Sequence, residues 1–221
     1  MKSEMMSESQ HKNREKKNST RRLSMNKVIL GMTMSLDGYI NDRTGGLQPL
    51  FSDIFADQPG DTVKDASILD EAVRTTGAVI MGKNAYLMAE DVDSYADNYE
   101  FQVPIFILSH QLPEKHPKEN EELKFTFVTK GLEKAVELAK KVVAEDKDIV
   151  IIGGARTARE AIRLSIPDEM QIDIMPVLLG GGLRLFDDTL AAPLKLEKIE
   201  VVEYMERVSI KYRILKEESV I

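Results

Sequence analysis

The amino-acid sequence predicts one α/β domain whose sheet is mainly parallel and ends antiparallel. Two patterns predict it. From residue 28 to residue 165, short apolar runs alternate with amphipathic segments of helical period, the order that builds a parallel sheet covered on both faces. From residue 171 onward three strand-like segments follow one another with no helix between them, so the end of the sheet has to run antiparallel. At 221 residues, 43% of them apolar, the chain holds enough material for one substantial core, and it shows neither an internal repeat nor a second domain.

Residues 28–34 are the first predicted strand, followed by the turn Leu36-Asp37-Gly38 and a short apolar return through Tyr39 and Ile40. Residues 41–62 contain Gly45-Gly46, two prolines and no clean period, which reads as a long loop of the kind that serves as a lid. A helix over 64–76 places Ala66, Leu69 and Val73 on one face. Strand two covers 78–81, and Gly82 marks where it gives way to a helix reaching Ala89. Strands three, four and five cover 104–108, 125–129 and 149–152. Between the last two, Leu132, Ala135, Val136, Ala139, Val142 and Val143 recur at helical spacing over 132–144. A helix from Gly153-Gly154 to about Ser165 precedes strands at 171–179, 194–203 and 207–215.

Residues 1–24 carry seven Lys/Arg, three Asp/Glu and no aromatic residue. Such a segment buries too little to offset the entropy of ordering, so it is expected to be a disordered basic extension, with the folded domain at 25–221. The remainder holds 23 basic and 34 acidic residues, and the chain as a whole is at −7. That balance argues against nucleic acid or an anionic membrane surface as the main partner. The absence of cysteine excludes disulfides, thiolate metal sites and a Cys nucleophile, and suits a reducing, cytoplasmic location. No apolar run approaches the roughly 20 residues of a membrane span, and the N-terminus lacks the apolar stretch of a secretory signal. His110 and His116 have no metal-ligand spacing, so no metal is expected. No G-x-S-x-G or Walker sequence occurs, which removes support for hydrolase or kinase chemistry.

Three strand ends carry the candidate chemistry. In Ile149-Val150-Ile151-Ile152-Gly153-Gly154-Ala155-Arg156-Thr157 a buried strand runs into two glycines and then a helix. Glycines there admit a ligand close to the backbone, and a helix N-terminus offers it free N–H groups and partial positive charge. The same pair also suits a plain strand-to-helix turn. Val79-Ile80-Met81-Gly82-Lys83-Asn84 repeats the geometry with a cation, and Ile107-Leu108-Ser109-His110 ends in a hydroxyl and an imidazole. Ligands of open α/β sheets lie across the carboxyl ends of the strands, so three such tips outline an extended ligand. Asp37, just after strand one, is a candidate catalytic acid, although an Asp before Gly also caps its own turn. Tyr39 and Tyr86 read as core aromatics or as ring partners, and Gly180–Gly182 as a close approach to a cofactor or a bulge between strands.

Four motifs in order then give a resemblance. Ser35-Leu36-Asp37-Gly38-Tyr39-Ile40, Met81-Gly82-Lys83, Gly153-Gly154, and Pro176-Val177-Leu178-Leu179-Gly180-Gly181-Gly182 followed by Arg184-Leu185-Phe186 resemble the family uniting dihydrofolate reductases with the reductase domain of bifunctional riboflavin-biosynthesis proteins. The resemblance spans about residues 25–216 and is nearest to the small stand-alone bacterial members. It implies a dihydrofolate-reductase-like three-layer α/β/α fold and a homodimer. It also implies an NADPH site: Gly82, Lys83 and Asn84 beside the phosphates, Ser109 and His110 near the adenosine, and Gly153, Gly154, Ala155, Arg156 and Thr157 under the pyrophosphate and nicotinamide ribose. The activity implied is hydride transfer to a C=N or C=O bond of a small pterin- or pyrimidine-like heterocycle.

The chain departs from the family pattern at Lys83, Ala85 and Gly31, and it lacks the Ser/Thr-rich segment that helps riboflavin-type reductases hold the ribose phosphate of the substrate after the first hairpin. Lys83 and Ala85 stand where an arginine and a threonine are usual, which leaves NADH open beside NADPH because lysine lacks the bidentate fork. Gly31 stands where riboflavin-type reductases carry a lysine. Asp65, Asp70 and Glu71 lie on the helix that bears the pterin-facing acid of dihydrofolate reductases, with none singled out. Two rivals stay open: a non-catalytic nucleotide- or ligand-binding protein that keeps the fold, and an unrelated doubly wound domain binding another phosphate-containing ligand.

Overall fold

The run VILGMTMS alternates its side chains between two faces, as a strand must. Val28, Leu30 and Met32 point into one apolar cluster, while Ile29, Gly31 and Thr33 line a cleft on the opposite side. The computed structural model describes residues 26–52, 62–89, 91–187, 192–204 and 206–216, with the side chains of 62–68 and 204 outside the description. The basic extension expected over 1–24 and the central part of the expected loop, residues 53–61, lie outside the described residues.

The strands are β1 (Val28–Ser35), β2 (Thr76–Gly82), β3 (Ile105–Leu108), β4 (Phe125–Val128), β5 (Asp148–Ile152), β6 (Glu169–Met175), β7 (Leu196–Tyr204) and β8 (Arg207–Ile214). They form one sheet in the order β4-β3-β2-β5-β1-β6-β8-β7. The pairs from β4 to β6 are parallel, and β6–β8 and β8–β7 are antiparallel, so the expected antiparallel end is present. The helices are α1 (Thr62–Thr75), α2 (Lys83–Tyr86), α3 (Tyr95–Asn98), α4 (Leu132–Ala139) and α5 (Ala155–Arg163). Among the described residues none of them is long and apolar enough to cross a membrane.

Each face of the sheet has its own core. On one, Leu30, Ile80, Phe106, Ile149 and Ile151 pack under α4 and α5, where Ala155, Ala158 and Ala161 keep α5 close to the strands. On the other, Val79, Met81, Ile105 and Ile107 pack with Tyr86, Tyr95, Phe101 and Phe125. This second core covers β2 and β3 and stops short of β6 and β8. There the same face carries Gln171, Asp173, Ser209 and Lys211, and these polar residues line a cleft instead of closing a core.

Several elements differ from the sequence expectation. The helix expected to run from Gly82 to Ala89 is the single turn α2, because Leu87 and Met88 are exposed and give a longer helix no apolar face to bury. The 3-10 turn Val92–Ser94 and α3 were not anticipated; they form around Tyr95, whose ring stacks on Tyr86 at 5.6 Å. The helix over 132–144 ends at Ala139, and Val142, part of its apolar repeat, faces solvent. Strand six stops at Met175 because Pro176 has no N–H to give the ladder. The Gly180–Gly182 run packs on the segment after the first hairpin: a Cβ on Gly182, at φ 130°, would collide with the Asn41 carbonyl.

Leu30 is fully buried on the central strand. Its replacement by alanine leaves a cavity that cannot collapse without disturbing both neighbouring strands. Leu30→Ala should lower unfolding stability by about 3 kcal/mol in a urea titration.

Candidate functional site

The sheet order decides where the site lies. The chain makes β1, crosses to β2, β3 and β4, and returns to insert β5 between β1 and β2. The carboxyl tips of β2 and β5, 71 residues apart from Gly82 to Gly153, therefore become neighbours. A cleft of about 1620 Å³ opens over these tips and extends along the polar face of β6 and β8. All ten residues named above for a dinucleotide line it: Gly82, Lys83 and Asn84 from the β2–α2 junction, Ser109 and His110 after β3, and Gly153, Gly154, Ala155, Arg156 and Thr157 from the β5–α5 junction.

The two glycine tips touch. Gly153 has φ 151°, a conformation side chains rarely adopt, and a Cβ on it would sit 3.3 Å from the Gly82 backbone nitrogen. A Cβ on Gly82 would lie 2.8 Å from the hydroxyl of Thr157, which is buried in the first turn of α5. Gly154 enters the helix in extended conformation, with φ −75° and ψ 161°, and no side chain caps it. The helical ladder starts at Ala158, whose N–H donates to the Gly154 carbonyl at 3.2 Å. The first-turn N–H groups that precede it form an anion-favouring end directed at the cleft. Lys83 and Arg156 are exposed there as cations, while the Ser109 hydroxyl donates to the Gln111 carbonyl at 2.6 Å and shapes the loop after β3.

Asp37 is placed differently. It does not line the cleft. Its carboxylate accepts from the Ser35 hydroxyl at 2.6 Å and from the N–H groups of Leu179 and Gly180 at 3.1 and 2.7 Å. The Ser35 bond, assisted by the two amides, holds its pKa below the usual carboxylate value. Asp37 thus ties the first hairpin to the loop that follows β6. Next to it, Tyr39 bridges to Arg184, whose guanidinium lies 4.8 Å from the Tyr39 ring centre. Tyr86 belongs to the second core, where burial pushes its hydroxyl up to about 12. Of the three acids on α1, Glu71 lines the cleft but bonds to Arg74, Asp70 is exposed outside the lining, and the Asp65 side chain is outside the described residues.

Sequence reasoning missed the floor of the cleft. Gln171, Asp173, Arg207, Ser209 and Lys211 line it from β6 and β8. Arg207 is only 1% exposed at its side chain and stands 3.8 Å from the Asp173 carboxylate. The signal was the alternation of polar residues in QID and RVSIK, on strands that prove to be interior.

Two measurements test this geometry. Gly82→Ala should cost about 2 kcal/mol of stability through overlap with Thr157. Combined with Thr157→Ala it should cost clearly less than the sum of the single changes, because the clashing hydroxyl is gone. The Asp37 bonds favour the ionised carboxylate, so their contribution is present above its unfolded value near 3.8 and is lost as pH falls through the lower folded value. The difference in Tm between the protein and Asp37→Asn should accordingly be largest near neutral pH and shrink below about pH 4.

Comparison with known proteins places the chain in a family. The pattern of the RibD C-terminal domain matches residues 26–210. An uncharacterized protein, YwjB of Bacillus subtilis, is 25% identical over 162 residues, covering 73% of this chain and 83% of its own. The crystal structure of a putative riboflavin biosynthesis protein from Shewanella sp. PV-4 superposes with a TM-score of 0.65 at 25% identity, over 86% of this chain and 99% of that one. Dihydrofolate reductase of Enterococcus faecalis, solved with NADP(H), shares the fold at a TM-score of 0.53 and 13% identity, over 88% of this chain and 98% of that one. With its mixed sheet, its antiparallel C-terminal hairpin and a match over residues 26–210, this chain belongs to the RibD C-terminal domain family.

Proposed function

We propose that the protein binds a nicotinamide dinucleotide, NADPH ahead of NADH, across the strand tips and uses it to reduce a C=N or C=O bond of a small planar heterocycle. The observation that carries this reading is the contact of Gly82 with Gly153 beside the uncapped start of α5. That arrangement leaves bare backbone amides facing the cleft, a cradle that suits a pyrophosphate and that any Cβ would fill. In this reading the amides of Gly154 to Thr157 hold the anionic bridge, Lys83 and Arg156 neutralise its charge, and Ser109 and His110 flank the adenosine. When bound, the cofactor supplies the hydride.

The protein's own part is binding and orientation. The volume of about 1620 Å³ exceeds the roughly 300–1,000 Å³ of an ordinary small-ligand pocket, which accommodates a dinucleotide together with a second molecule. The face of β6 and β8 is the surface left for that second molecule. Asp37 acts as a positioning residue that fixes the hairpin, and the proton comes from solvent or from the substrate side. A reading without catalysis, as a nucleotide-binding protein, gains from the engagement of Asp37 in three structural bonds.

We also read the protein as a cytoplasmic homodimer. Ile199 and Val201 on the edge strand β7 are 41% and 49% exposed, and a second copy is the partner expected to cover them.

Titration with NADPH and NADH, followed by nicotinamide fluorescence, tests the central reading. Saturable binding is expected, and Arg156→Ala should weaken it about tenfold through loss of a charge-assisted contact. Slow NADPH oxidation with a dihydropterin supports the enzyme. Tight binding without oxidation across a panel of heterocycles supports the binding protein, and no binding of either dinucleotide refutes both.

A further inference from the structure

Sulfur chemistry in this chain rests on methionine alone, because the sequence holds 11 methionines and no cysteine. The fold gives the described methionines very different access to solvent. Met32, Met81, Met170 and Met175 are 8% exposed or less, and Met34 is intermediate. Met88 is 52% exposed. An oxidant dissolved in water therefore reaches Met88 first among them, since oxidation of methionine follows exposure.

Met88 also stands on a functional surface. It follows α2 by two residues, and its N–H donates to the Ala85 carbonyl at 3.1 Å, so the turn that carries Lys83 and Asn84 fixes the Met88 backbone as well. Met88 lines the cleft, as do Leu69 and Ala72 of α1 and Phe101. These four residues supply apolar wall, where the flexible, polarizable thioether adapts to whatever lies against it. With half of its surface in solvent, Met88 contributes little to either core. A polar group at its sulfur is thus tolerated by the fold and felt by the cleft. At the buried methionines the same change would disrupt packing.

We propose that Met88 is a redox-sensitive modification site whose oxidation by hydrogen peroxide weakens the hold of the cleft on ligands with apolar surface. The sulfur lone pair attacks one peroxide oxygen, an S=O bond forms as the O–O bond breaks, and the second oxygen leaves as water. The thioether loses two electrons and the peroxide gains them. The product sulfoxide is polar and turns one side of an apolar wall into a hydrogen-bond acceptor, which must be desolvated whenever an apolar group packs on it. Methionine sulfoxide reductases reverse the step, so the modification acts as a switch. It goes beyond the reductase reading and does not depend on it, because only the cleft wall is involved.

The test treats the full chain with limiting hydrogen peroxide, stops the reaction with catalase at intervals and locates the added oxygen by peptide mass spectrometry. Met88 should be oxidised at least about tenfold faster than Met32, Met81, Met170 and Met175. Nile red, a neutral solvatochromic dye, probes the wall. Its Kd should rise about tenfold on oxidation and return after treatment with the reductases for both sulfoxide epimers. Saturating dye should in turn slow the oxidation of Met88 several-fold. Met88→Leu should bind the dye as the unaltered chain does and be indifferent to peroxide, whereas Met88→Gln should bind it about as weakly as the oxidised protein. Both variants should keep the melting temperature, as exposed substitutions do. Oxidation of Met88 no faster than that of the buried methionines overturns the proposal. So does an absence of dye binding, dye binding that peroxide leaves unchanged, or an equal loss in oxidised Met88→Leu, which would assign the effect to another methionine. If Met88→Gln does not fold, the comparison of oxidised unaltered chain with oxidised Met88→Leu decides.

Discussion

The contact between Gly82 and Gly153 is the constraint around which the site is organised. With 3.3 Å between the backbone nitrogen of one glycine and the place where the other would carry a Cβ, the tips of β2 and β5 close against each other without side chains. The Thr157 hydroxyl fills the remaining space and locks the first turn of α5 over the junction. The helix must start there, pointed at the cleft, and its leading amides have no capping side chain to occupy them. A side chain at Gly82 would press on the Thr157 hydroxyl, and one at Gly153 would crowd the Gly82 backbone and require a φ that side chains rarely adopt.

The second determinant is the asymmetry of the sheet. One face is apolar from β4 to β8 and is closed by α4 and α5. The other is apolar over β4, β3, β2 and the end of β5, where the tyrosines and phenylalanines around Tyr95 seal it. Beyond β1 the second face turns polar, so it cannot be closed by an ordinary hydrophobic core, and a cleft persists. Its polar groups are organised as opposed charges: Arg207 beside Asp173, and Lys211 beside Glu169.

Asp37 acts outside the cleft lining, at the end of β1. By accepting from Leu179 and Gly180 it holds the loop after β6 against the first hairpin, and Arg159 secures the next stretch through the Leu185 carbonyl and Asp187. The rim of the cleft near β1 is thus fixed by a carboxylate whose position after strand one suggested an acid from sequence alone. Members of the RibD C-terminal domain family share this fold, and in this chain the strand-tip junction and the polar floor lie within one continuous cavity.

The sequence by itself determined the parts that depend on local patterning. The strands, α4, α5, the antiparallel end and the Gly153-Gly154 turn were legible because side-chain period and glycine placement act over a few residues. The three tips that line the cleft were legible for the same reason, since each combines an apolar strand with a small or charged residue at its end. Only the tertiary structure decided which tips touch, because the insertion of β5 between β1 and β2 is a long-range choice. It likewise decided that Asp173 and Ser209 face an interior: alternate polar residues on β6 and β8 read as the solvent side of amphipathic strands until the sheet order encloses them. The short helices around Tyr95 escaped notice on the same ground, as they are held by aromatic stacking across the fold and not by any period of their own.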